Sequence, residues 1–139
     1  MAKKVTQHIL TKEIEQDLLP YINKPAQYLG GEFNSIKKEW DTVKARVAFC
    51  FPDTYEIGMS HLGLRVLYQV VNEKHDYLME RSFAPMTDME ELMRAKEVPL
   101  FSWESYTAIK DFDFVAFALQ YEMSYTNILN MLDLAGLPI

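Results

Sequence analysis

The feature that most limits how this chain can fold is a pair of short, largely apolar runs, Ala45 to Phe51 (ARVAFCF) and Asp113 to Leu119 (DFVAFAL), with helix-periodic sequence between them. Neither run alternates polar with apolar residues, so each is expected to be a strand buried on both faces. Tyr77 to Phe83 reads as a further strand. Between the runs, Ser60 is placed to cap a helix whose apolar face is Leu62, Val66, Leu67, Val70 and Val71. Thr87 or Asp88 opens a second helix with Met89, Leu92 and Met93 on its face. Leu100 to Trp103 is a short extended piece. Ser124 or Thr126 opens a last helix carrying Ile128, Leu129, Leu132 and Ala135, which Gly136 and Pro138 end.

Strand and helix alternate three times, which predicts an α/β fold of three layers. A mostly parallel, Rossmann- or flavodoxin-like sheet would lie between helices. Such sheets bind ligands beyond the carboxyl ends of their strands, so the loops after Phe51, Phe83 and Leu119 should form any functional mouth. Residues 1–40 read as an N-terminal leader that packs on the domain formed by residues 41–139. Within the leader, Thr11 is a candidate cap for a weak stripe of Ile14, Leu18 and Leu19 that Pro20 stops. The sequence ends at Ile139, where a further strand is due, so the domain is expected to be truncated at its C-terminus. An unsatisfied sheet edge would then favour self-association.

Hydrophobic residues make up 49% of the chain, which is globular composition rather than that of a disordered segment. The net charge of −6 lacks the basic footprint of a nucleic-acid binder. One cysteine excludes an internal disulfide framework, and also a Cys-held zinc or iron–sulfur centre on this chain alone. No apolar run approaches the roughly 20 residues of a membrane span. No apolar signal core follows Met1-Ala2-Lys3-Lys4, so a cytoplasmic location is expected, with Cys50 reduced and inert.

The loop after the first strand carries the richest pattern, Asp53-Thr54-Tyr55-Glu56-Ile57-Gly58-Met59-Ser60-His61-Leu62-Gly63. Gly58 and Gly63 bracket a helix start, which either brings backbone close to an anionic ligand or makes an ordinary strand-to-helix turn. The spacing is neither Gly-x-Gly-x-x-Gly nor a P-loop. Gln120, Tyr121, Glu122, Ser124 and Thr126 follow the last strand and are placed to line the same mouth or, for Ser124 and Thr126, to cap the last helix. Glu80 and Arg81 read as a structural ion pair or a ligand contact. Asp53, Glu56 and Glu122 read as a solvated acidic rim. Met59 and Met86 fall in mouth loops, His61 reads as a capping or solvent-facing residue, and His8 and His75 as surface residues. No catalytic residue and no metal ligand is expected.

The segment Asp53-x-Tyr55-x-x-Gly58 resembles the Asp-x-His-x-x-Gly of cobalamin-binding domains of the methionine-synthase and mutase type. The longer stretch Pro52-Asp53-x-Tyr55-Glu56-x-Gly58-Met59-Ser60-x-Leu62-Gly63 is more similar to the amino-terminal region of B12-binding-domain radical SAM proteins. Further matching pieces are Lys24-Pro25, Tyr28-x-Gly30-Gly31-Glu32-x-Asn34, Glu80-Arg81-x-Phe83-Ala84-Pro85-x-x-Asp88-Met89 and Pro99-Leu100-Phe101-Ser102-x-Glu104-Ser105. Gln120-Tyr121-Glu122 and Tyr125-Thr126-Asn127, running to Asn130-Met131-Leu132-Asp133-Leu134-Ala135-Gly136, match as well. The resemblance implies a cobalamin-binding-like domain that seats a corrinoid through Asp53, Tyr55, Gly58, Met59, Ser60, Gly63, Gln120, Ser124 and Thr126. Tyr55 replaces the cobalt-ligating histidine, and a neutral phenol is a poor cobalt ligand, so the cobalt is expected to lack a protein histidine. A degenerate domain that keeps the fold and acts as an interaction or substrate-docking module is the other expectation. The implied partner is a radical SAM domain of the same polypeptide, where S-adenosylmethionine and a [4Fe–4S] cluster would reside. The Cys-x-x-x-Cys-x-x-Cys of that domain is absent here.

Overall fold

The computed structural model describes residues 6–139. Its centre is a parallel sheet of three strands, β1 (Ala45–Phe51), β2 (Tyr77–Phe83) and β3 (Phe114–Phe117), in the order β2-β1-β3. Ala45 lies opposite Tyr77 and Phe51 opposite Phe83, while Val47 lies opposite Phe114 and Cys50 opposite Phe117. Helices α1 (Tyr55–Ser60) and α2 (Leu62–Asn72) link β1 to β2. Helix α3 (Thr87–Ala95) follows β2, and α4 (Tyr125–Leu134) follows β3. This is the doubly wound α/β arrangement expected from the alternation of elements.

Position in the sheet decides burial. The last four residues of β1 are buried, with Ala48 and Cys50 at 0% exposure. Burial pushes the Cys50 thiol up to about 12, so it is a neutral packing group. No residue of β3 is fully buried, and Phe114 is 62% exposed. The apolar run at 113–119 therefore yields a shorter and more open strand than its composition predicts.

The two sheet edges differ. Segment 101–107 covers the outer edge of β2. The Trp103 N–H donates to the Arg81 carbonyl at 2.8 Å, and the Arg81 N–H donates to Glu104 Oε2 at 2.8 Å. A carboxylate thus stands where a neighbouring strand would supply a carbonyl. No strand pairs with the outer edge of β3 among the described residues.

The face of α2 differs from expectation. Leu64, Tyr68 and Asn72 point inward, and Leu62, Val66, Leu67 and Val70 are at least half exposed. Spacing alone does not choose between two apolar stripes on one helix. Asn72 settles the orientation by exchanging two hydrogen bonds with the Met79 backbone, at 2.9 and 3.0 Å. On α4, Met131 and Leu134 are buried, as is Ala135 at its C-cap, while Leu129 is exposed. Gly136 ends this helix at φ +67°. Helices α3 and α4 are tied by Arg94, which donates to Asp133 and Asn130, each at 2.7 Å.

The leader contributes to the same core. Ile14 and Leu18, on the π-helical turn Glu13–Leu18, are fully buried, and Tyr28 and Trp40 nearly so. Thr11 does not cap this turn, because the backbone is already helical at Thr11 and Lys12 before Glu13. Gly30, at φ +62°, sits against the Trp103 carbonyl, where any Cβ would collide. The Trp103 indole donates to the Gln27 carbonyl at 2.6 Å, closing the leader over the 101–107 segment.

Candidate functional site at the carboxyl end of the sheet

The β1 loop and the β3 loop meet over a small cavity of about 190 Å³. Phe51, Asp53, Ile57, His61, Gln120 and Ser124 are among its lining residues. Asp53 is held by accepting the Thr54 N–H at 2.8 Å. His61, not Ser60, caps α2, because its Nδ1 accepts the Leu64 N–H at 3.2 Å. That bond leaves the ring proton on Nε2, which faces Gln120 Oε1 at 3.0 Å. Both imidazole nitrogens are therefore engaged. Ser60 turns the other way and donates to the Glu56 carbonyl at 2.6 Å. Beside the cavity, Leu119, Tyr121 and Met123 are exposed, Met123 by 78%.

The predicted site residues thus divide into separate groups. Asp53, Gln120 and Ser124 come together with His61. Gly63 adjoins the His61 ring. Thr126 is exposed and reaches back toward the Met123 carbonyl at 3.4 Å, and Ser124 makes no side-chain cap. Tyr55 and Met59 face away from the cavity. The Tyr55 ring meets Phe83 edge-on at 5.6 Å, and burial and the nearby Glu32 carboxylate push its phenol up. Met59 Sδ lies 3.4 Å from Arg81 Nη1. Gly58 is buried against the Phe83 ring, where a Cβ would collide, so its glycine serves packing within the protein.

The carboxylates do not gather. Glu56 is bonded to Gln27, and Glu122 is exposed. Glu80 and Arg81 do not pair with each other either. Arg81 Nε donates to Glu104 Oε1 at 2.6 Å, and the guanidinium lies over the Tyr68 ring at 4.1 Å. Burial pushes the Glu104 carboxyl up to about 7, against the pull of Arg81. His8 is also engaged, with Nδ1 2.8 Å from Asp111. Sequence reading missed the Arg81–Glu104 pair because 23 positions separate its members. The available signal was two charged residues inside an otherwise apolar strand.

The donor set does not fit a cobalt ion ligated by a protein histidine. Ligation through His61 Nε2 would require the ring proton to move to Nδ1, which would break the cap on α2. Tyr55 points elsewhere. Among the described residues, no three His, Cys, Asp or Glu side chains are grouped to hold a metal ion. No helix among them is long and apolar enough to cross a membrane.

The class defined by this geometry is a doubly wound α/β domain with an open carboxyl-end mouth. Residues 63–139 match the family described as radical SAM proteins, N-terminal. The match covers more than half of the chain, and the chain belongs to that family. No curated protein and no solved structure matches it.

Proposed function

We propose that this chain is the docking module of a radical SAM protein, and that the radical SAM domain packs on its open mouth and β3 edge. The observation that carries this reading is β3 itself, a parallel strand whose outer edge pairs with no strand among the described residues and which has no fully buried residue. Parallel strands are normally covered on both faces. The exposed Leu119, Tyr121 and Met123 extend the same surface. The chain contributes a surface, and the radical chemistry belongs to cofactors held elsewhere. Leu119→Glu with Met123→Glu should weaken association with a separately produced radical SAM domain by about tenfold or more. Unchanged association in a folded double variant would contradict the reading.

A second reading is a corrinoid seated across the same mouth without a protein ligand to its cobalt. The exposed apolar rim of Leu119, Tyr121 and Met123 favours it, since a flat macrocycle needs apolar support. An anaerobic titration with cob(II)alamin and hydroxocobalamin, read by visible absorbance after desalting, separates the two. Retained, saturable corrinoid supports this second reading. A colourless protein supports docking alone.

A further inference from the structure

Helix α2 turns an apolar line outward. Leu62 is 71% exposed, and Val66 and Val70 are each 50% exposed. Their spacing of four residues sets them along one ridge of the helix. A helix packed on a sheet ordinarily turns polar residues to solvent. A groove of about 380 Å³ opens on this face, lined by Leu62, Arg65, Val66, Gln69 and Val70 from the helix and by Asn34 from the leader. It shares no lining residue with the mouth.

The same face carries one unpaired charge of each sign. Of the four arginines, Arg46, Arg81 and Arg94 are bonded to carboxylates. Arg65 is exposed and meets no carboxylate among the described residues. Glu73, the C-cap of α2, is exposed and accepts a long bond from Gln69 at 3.4 Å, with no cation beside it among those residues. It lies about two turns beyond Val66, on the same side of the helix. A helix dipole favours the opposite placement, with anions near the start and cations near the end. Arg65 near the start and Glu73 at the end are therefore unfavourable on one helix and complementary between two helices that run in opposite directions.

We propose that α2 pairs with α2 of a second copy of this chain, antiparallel about a twofold axis beside Gln69. Arg65 and Glu73 lie equally far from Gln69 along the helix, roughly 6 Å at 1.5 Å per residue. The axis sets Arg65 of each copy against Glu73 of the other, with Val66 and Val70 packed between them. One helix per copy makes a small interface, so a dissociation constant of about 10–100 µM is expected and dilute protein stays monomeric. The surface at β3 remains free for docking. Sedimentation velocity from about 5 to 500 µM protein measures the association. The expected result is a monomer–dimer equilibrium that stops at the dimer. Arg65→Glu and Glu73→Arg each create two like-charged pairs and should weaken it by about tenfold or more. Combining the two substitutions should restore it. Val66→Lys should leave monomer alone, with an unchanged circular dichroism spectrum. Leu119→Glu with Met123→Glu should dimerise as the unaltered chain does. A monomer at every concentration would leave this face to a different partner and overturn the proposal. So would association beyond the dimer, single variants that dimerise undiminished, or a combined variant no tighter than either single. Loss of the dimer in the Leu119 and Met123 variant would move the contact to the sheet edge and overturn it as well.

Discussion

At the residue scale, Gly58 and Glu104 show how function-like signals arise from packing. Gly58 lies in a loop whose glycines suggested close approach to a ligand, yet the group approached is Phe83. Gly58→Ala should cost about 1–3 kcal/mol by forcing that ring aside, read as a lower midpoint in denaturant. Glu104 makes a pH prediction. Its folded pKa of about 7 lies above the ordinary carboxyl value of 4.5. The folded state therefore holds the proton more tightly, and this contribution is complete below about 4.5 and lost as pH rises through about 7. Burial shifts Glu80 in the same direction. Asp88 is held low by the Asn23 N–H, so its contribution is lost only at more acidic pH. Unfolding free energy should fall between pH 5 and pH 7.5 or so, and Glu104→Gln should flatten the fall. A wild-type profile that rises across that window would contradict the assignment.

At the element scale, sequence period gave the strands and helices but not every face. β1 and β2 occupy the residues expected of them, each a short run of strand formers closed by a proline signal, Pro52 and Ala84-Pro85, although Glu80, Arg81 and Ser82 interrupt the apolar run of β2. The face of α2 was not legible. Its sequence carries apolar residues on more than one side, and the deciding contacts come from Asn72 to Met79 and from Tyr68 to the Ile36 backbone and Arg81. Local sequence offered both Ser60 and His61 as caps for this helix, and the Leu64 N–H selects His61. Leu64→Ala should cost about 2–5 kcal/mol, whereas Val66→Lys on the outward stripe should stay within about 0.5 kcal/mol. His61→Ala should cost about 1 kcal/mol through the lost cap. Thermal or chemical unfolding of the three variants orders them, and a larger cost at Val66 than at Leu64 would reverse the face assignment.

At the scale of the whole molecule, the mouth was placed correctly by topology and only partly filled by the residues expected there. Asp53, Gln120 and Ser124 meet because the β1 and β3 loops adjoin at the carboxyl end of the sheet. Tyr55 and Met59 turn away because α1 starts immediately after the loop and rotates them toward Phe83 and Arg81. An unsatisfied sheet edge was expected from sequence, but the cover on β2 was not, since its Glu104 lies 23 positions from Arg81. The asymmetry between the two edges underlies the docking reading. Its most direct measurement is hydrogen exchange at the β3 amides, comparing this chain alone with a polypeptide that also carries the radical SAM domain. The account predicts that exchange at Phe114 to Phe117 and through Leu119 to Met123 slows by about tenfold or more when that domain is present, with the already covered β2 unchanged. Equal exchange at β3 in both proteins would contradict it.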